Sequence, residues 1–124
     1  MDNAEKGLHE ACKTTGAVVS EYTAAPVFMN AEGKCRHQWV IEFSQQPADM
    51  EAFANALDTA LQHINSDYEA KRHKDITLQR LEVVTARQGL FNDWLKSKGK
   101  LGGQHKVPRL SNNRDIIDDI LKLN

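Results

Sequence analysis

The chain has 124 residues, 40% of them hydrophobic, and its 16 Lys+Arg against 17 Asp+Glu give a formal net charge of −1. That length fits one domain that buries roughly two-thirds of its unfolded surface, and the near-zero charge argues against a strongly basic nucleic-acid binder or an acidic solvating tail. The longest uncharged apolar stretch, Ala24–Met29, is broken by Pro26 and falls far short of the ~20 residues of a membrane span; there is no secretory signal, and Cys12 and Cys35 are too few for a disulfide scaffold, so the chain reads as cytoplasmic with reduced thiols.

Asn3 caps a helix to about Thr15, with Leu8, Ala11, Cys12 and Thr15 at i, i+3, i+4 and i+7 and Gly16 as a stop. From Ala17 to Met29 the residues are β-branched and aromatic, Asn30 to Lys34 form a turn, and Arg36 to Phe43 alternate with His37, Trp39, Ile41 and Phe43 on one face. This predicts a hairpin with one buried face. Pro47 suits the first turn of the next helix, whose stripe is Met50, Phe53, Ala54, Leu57, Leu61 and Ile64. Asn65-Ser66 weakens it, and Tyr68 to His73 read as a polar extension whose charges are solvated or meet a neighbouring domain. Leu78 to Thr85 predict a third strand. A short helix follows on Leu90, Phe91, Trp94 and Leu95, and a last one runs from about Asn113 to Leu123. The order α-β-β-α-β-α-loop-α indicates an α+β fold: a small mixed sheet with an antiparallel hairpin, packed by helices. Trp39 and Trp94 fall on apolar faces and read as core.

The charge is unevenly spread. Residues 94–114 carry Lys96, Lys98, Lys100, Lys106, Arg109 and Arg114 with no Asp or Glu, a segment of +6 set against −7 for the remainder. Within it lies Gly99-Lys100-Leu101-Gly102-Gly103-Gln104-His105-Lys106-Val107-Pro108-Arg109. Glycines leave backbone amides unshielded, Lys106 is a mobile point charge, and Pro108 biases Val107 towards an extended conformation. Such a loop suits a phosphate or carboxylate. Lys96, Lys98 and Gly99 equally suit an ordinary helix end, so from the residues alone an anion site and a solvated basic loop both stand. The spacing is not that of a P-loop.

His9-x-x-Cys12 and Cys35-x-His37 would supply four zinc ligands if the first helix packed on that strand, but neither has zinc-finger spacing and Cys12 lies on the apolar stripe. Half-buried reduced residues are the plainer reading, and no metal site is assigned. Nothing marks either thiol as an activated nucleophile beside His37 or His63.

Several segments, in order, carry a family resemblance: Glu21-Tyr22-Thr23, the His37 to Glu42 strand, Asn65-Ser66-x-Tyr68-x-x-x-Arg72-x-x-Asp75, Leu81-Glu82-Val83, Phe91, Gly99 and, most specifically, Gln104-His105-Lys106-Val107-Pro108-Arg109. Together they resemble the C-terminal domain of the auxin-responsive acyl-acid amido synthetases of the adenylate-forming superfamily. The resemblance implies that a carboxylic acid is activated with Mg-ATP to an acyl-adenylate. An amine, such as that of an amino acid, then displaces AMP. Residues 1–124 would be a single domain, the C-terminal lid of a longer enzyme. The implied partner is an N-terminal adenylation domain that binds most of the ATP and Mg, and no nucleic acid or membrane is expected. By the motif match Lys106 is the catalytic loop lysine, with Gln104, His105 and Arg109 as nucleotide-binding residues. His105 stands where plant members carry Tyr, which points to a microbial member. Alone, the domain is expected to be inactive. The alternative is a stand-alone α+β anion-binding or regulatory module.

Overall fold

In the computed structural model the described residues are 3–28, 34–73, 78–98, 107, 109–111 and 113–124. They form α1 (Asn3–Thr15), β1 (Val18–Phe28), β2 (Cys35–Gln45), α2 (Met50–Ile64), α3 (Ser66–Arg72), β3 (Glu82–Thr85), α4 (Leu90–Ser97) and α5 (Asp115–Leu121). The strands make a mixed sheet in the order β1-β2-β3, with β1 and β2 antiparallel and β2 and β3 parallel. This is the α+β architecture expected.

The sheet is buried on both sides, which corrects the expectation of one buried face. Tyr22, Ala24, Trp39, Ile41 and Phe43 pack under α1 and α2 with Leu8, Ala11, Phe53 and Leu57. Ala25 and Val40, of opposite parity, pack with Leu90, Phe91, Trp94, Val107, Ile117 and Ile120. Val40 is 0% exposed, like Ile41 beside it. Alternation in β2 marks one apolar face; the second is closed by a single valine that the pattern passes over. Tyr22 stacks on Trp39 at 5.6 Å, and Phe43 meets Phe53 edge-on at 5.2 Å.

Local chemistry places the boundaries. Gly16 takes φ 77° after α1 and donates its N–H to the Cys12 carbonyl at 2.8 Å, the left-handed helix stop that glycine adopts without penalty. Pro47 stands before α2, not in its first turn: the Asp49 carboxylate accepts from Glu51 N and Ala52 N, so the helix starts at Met50. Pro26 lies within edge strand β1. Ala24 N–H, two residues earlier, points away from β2 to the Arg109 carbonyl, so the missing N–H of Pro26 falls on the side away from β2.

Tyr68 to His73 is not a polar extension of α2. Asn65 closes α2 by donating its N–H to Leu61 O and opens α3 by accepting from Asp67 N and Tyr68 N, so the chain turns and Tyr68 is buried. Asp58, Tyr68 and Arg72 then form a buried polar cluster; the Tyr68 hydroxyl donates to Asp58 Oδ1 at 2.5 Å. β3 begins at Glu82, later than expected, and Leu78 makes an isolated bridge to Cys35. α5 is shorter than expected, at Asp115–Leu121. Beyond it Arg87 holds the C-terminus, its N–H donating to Asn124 Oδ1 and its Nε to Leu123 O. The expected turn at 30–34 falls almost wholly outside the described residues.

Candidate functional site

The glycine-rich segment joins α4 to α5. Gln104, His105 and Lys106 lie outside the described residues, as does Pro108; the structure describes what brackets them.

On the near side, Trp94 is buried and donates its Nε1–H to Asp119 Oδ2 at 2.7 Å, and Lys98 Nζ lies 2.8 Å from the same oxygen. The end of α4 is thereby tied to α5. Hydrogen bonds from Lys98 and then Trp94 hold the Asp119 carboxyl below the usual carboxylate range.

On the far side, Val107 is a core residue against the second sheet face. Residues 109–111 then run alongside β1 as a short parallel addition. Ala24 N–H donates to Arg109 O at 2.8 Å, and Ser111 N–H donates to Ala24 O at 3.1 Å. The Arg109 side chain reaches two carboxylates: Nη1 is 2.9 Å from Glu5 Oε1 on α1, and Nε is 3.3 Å from Glu21 Oε1 on β1. Its guanidinium carbon lies 5.2 Å from the centroid of the Tyr22 ring. Glu21 Oε1 also accepts from Tyr22 N, which orients the carboxylate. Desolvation opposes the Arg109 charge, but Glu21, Tyr22 and Glu5 outweigh it and raise its pKa above the ordinary arginine value.

Two motifs far apart in sequence therefore meet. Glu21-Tyr22-Thr23 is the seat of Arg109, the last residue of the Gln104–Arg109 run. Glu21 is flagged by its motif, but Glu5 has none, and opposite charge is the only sequence signal for it. An open groove of about 560 Å³ lies beside this contact, lined by residues that include Glu5, His9, Cys12, Tyr22 and Arg109. Burial pushes the Cys12 thiol up, the reverse of an activated nucleophile.

Much of the +6 is answered inside the domain. Lys98 pairs with Asp119, Arg109 with Glu5 and Glu21, and Arg114 with Asp118 at 2.7 Å. Arg114 also donates to Pro26 O and Gln38 Oε1, so it braces both strands of the hairpin. Among the described residues no group of three His, Cys, Asp or Glu could hold a metal ion; His9 is exposed, and Cys12 and Cys35 pack against the first core. His37 lies near the Tyr68 ring, at 6.2 Å between centroids, and burial, then the Lys71 charge, lowers its pKa. No helix among the described residues is long and apolar enough to cross a membrane.

A family model described as the GH3 family C-terminal domain matches residues 2–115. No curated protein matches the chain in sequence. Among solved structures, a GH3.15 acyl acid amido synthetase superposes with a TM-score of 0.75 at 16% identity, covering 98% of this chain and 23% of that one. The AtGH3.15 acyl acid amido synthetase in complex with 2,4-DB superposes with a TM-score of 0.73 at 16% identity over 97% of this chain. At that identity the superpositions speak for the fold, and the chain spans 23% of the length of each of these proteins. The family model covers most of the sequence, from the start of α1 to the start of α5: the chain belongs to the GH3 family, as its C-terminal domain.

Proposed function

We propose that this domain is the mobile C-terminal lid of an ATP-dependent acyl-acid amido synthetase, and that Lys106 is its catalytic contribution. The observation that carries this reading is the family match over residues 2–115, which includes the whole Gln104–Arg109 run. In the first half-reaction a carboxylate oxygen of the acid attacks the α-phosphorus of ATP, and the bond from that phosphorus to pyrophosphate breaks. Negative charge gathers on the α-phosphoryl oxygens. A lysine ammonium brought there in a closed, water-poor site offsets it. In the second, an amine nitrogen attacks the acyl carbon and loses a proton, and the acyl–oxygen bond to AMP breaks.

Gln104 and His105, beside the lysine in sequence, are proposed to shape its contact with the nucleotide. A large N-terminal adenylation domain is the proposed partner, supplying the ATP and acyl pockets. The magnesium that accompanies ATP is proposed to be held mainly by that domain and by the phosphates. A microbial source and a cytoplasmic location belong to the same proposal.

The test is acid-dependent exchange of labelled pyrophosphate into ATP by the full-length enzyme. Lys106→Ala should slow it about 100- to 1000-fold, the usual loss when one charge-stabilising donor is removed. Undiminished exchange sinks the assignment. Micromolar binding of a nucleotide by the 124-residue chain alone would favour the stand-alone module instead.

A further inference from the structure

We propose that Arg109 is a positioning residue: through Glu5 and Glu21 it holds residues 109–111 against β1 and so sets where the lysine three residues earlier enters the reaction. This rests on the reading of Lys106 given above and assigns Arg109 a role different from direct contact with nucleotide.

A residue that binds a triphosphate needs its guanidinium fork turned to the ligand. Here two edges of the fork are taken, by Glu5 at 2.9 Å and Glu21 at 3.3 Å, and its carbon lies 5.2 Å from the centroid of the Tyr22 ring. The backbone of the same residue accepts the Ala24 N–H, and Ser111 donates back to Ala24. Val107, directly after the lysine, is buried against the second sheet face. Val107 and residues 109–111 are therefore fixed through core, side chain and backbone. Glu5 comes from α1, Glu21 from β1 and Val107 packs with α4 and α5, so one short stretch ties both layers of the domain together.

Preorganisation of this kind matters because a misplacement of about 1 Å from a change away from the chemistry costs on the order of 100-fold in rate. Glu5 and Glu21 serve Arg109 in this scheme and do not touch substrate. Neutralising them separates the two roles: a nucleotide-binding Arg109 would be released to work better, whereas a positioning Arg109 would lose its hold.

The decisive variant is Glu5→Gln with Glu21→Gln, both partly exposed and so tolerated by the fold. In the 124-residue chain, amide hydrogen exchange at Ala24 and Ser111 should rise about tenfold while the β1–β2 ladder amides stay unchanged. In the full-length enzyme, pyrophosphate exchange should fall 10- to 100-fold in kcat with the KM for ATP unchanged. Arg109→Lys, which keeps the charge and loses the fork, should not rescue. Normal kcat in the double variant, with Lys106→Ala still defective, overturns the positioning role and leaves the Lys106 assignment intact. A rise in KM for ATP in Arg109→Lys with no effect of the double variant overturns it in favour of direct nucleotide contact. Unchanged exchange at Ala24 and Ser111 shows that the clamp does not hold the segment and also overturns it. Full activity of Lys106→Ala removes the reading on which the role rests, and the role with it.

Discussion

Arg72 on α3 grips Asp58 on α2 side-on: Nε lies 2.9 Å from Oδ1 and Nη2 2.9 Å from Oδ2, with side chains only 10% and 6% exposed. The Tyr68 hydroxyl and Gln62 Nε2 donate to the same carboxylate, and Arg72 Nη1 donates to Leu78 O. Burial works against the Asp58 charge, but Arg72, Tyr68 and Gln62 outweigh it and hold the carboxyl below the usual carboxylate range. Tyr68 is pushed well above the ordinary phenol value by burial and by Asp58.

Removing one partner strands the other. Asp58→Ala should cost about 3–5 kcal/mol, the loss expected when a buried charge is left uncompensated. Tyr68→Phe, which deletes one donor to a charged acceptor, should cost about 1.5–3 kcal/mol. Urea unfolding of the two variants checks the order.

His37 and Asp58 give the pH dependence the same sign. Burial and Lys71 lower the folded pKa of His37, so the unfolded chain binds more protons on this group as pH falls through the ordinary histidine value of about 6.5. Its contribution is present above that pH and lost below it. Asp58, also lowered, contributes above about pH 4 and loses that contribution as pH falls further. Stability should therefore decline in two stages on acidification, and His37→Gln should flatten the stage between pH 7 and 5. A Tm series across pH 3–8 reads both, and an unaltered upper stage in the variant rules His37 out as its source.

Val40 tests the second core. A one-faced sheet would place it at the surface, where truncation is nearly free. Packed at 0% exposure, Val40→Ala should cost about 2 kcal/mol. A loss under about 0.5 kcal/mol in urea unfolding, the range of an exposed site, would contradict two-sided burial.

Gly7 marks a close approach of α1 to α2. A Cβ built there would stand 2.8 Å from Leu61 Cδ2 and 3.1 Å from its Cγ, and Leu61 is itself buried. Alanine gains about 1 kcal/mol of helix propensity over glycine but overpacks the contact by about 1–3 kcal/mol, so Gly7→Ala should lower Tm. Combined with Leu61→Ala the penalty should shrink, with Leu57 Cδ1 at 3.3 Å still crowding the new methyl, which a double-mutant cycle measures.

Much of this molecule is legible residue by residue. The apolar repeats of α1, α2 and α4, the glycine stop after α1 and the β-branched hairpin depend on local periodicity, and each forms where the pattern places it. The Gln104–Arg109 run is likewise visible as a motif by its order of residue types, though those types alone suit an anion site and a solvated basic loop equally. The end of α2 is not legible locally, for a physical reason: Asn65 can end one helix and cap the next, and only the burial of Tyr68 against Asp58 decides that it does both. Asp58 itself sits four residues after Ala54 and three before Leu61, on the buried stripe, but Arg72 lies 14 positions on, and nothing in the periodicity pairs the two.

The charge of −1 is the clearest case of the division. Linear sequence determined that a +6 segment sits beside a −7 remainder, and which residues make it up. Tertiary structure decided where those charges are spent: Lys98, Arg109 and Arg114 are drawn onto Asp119, Glu5 with Glu21, and Asp118. Ion pairs between elements distant along the chain depend on how the layers close, and in this fold that closure lays the exposed Arg109 across carboxylates of α1 and β1.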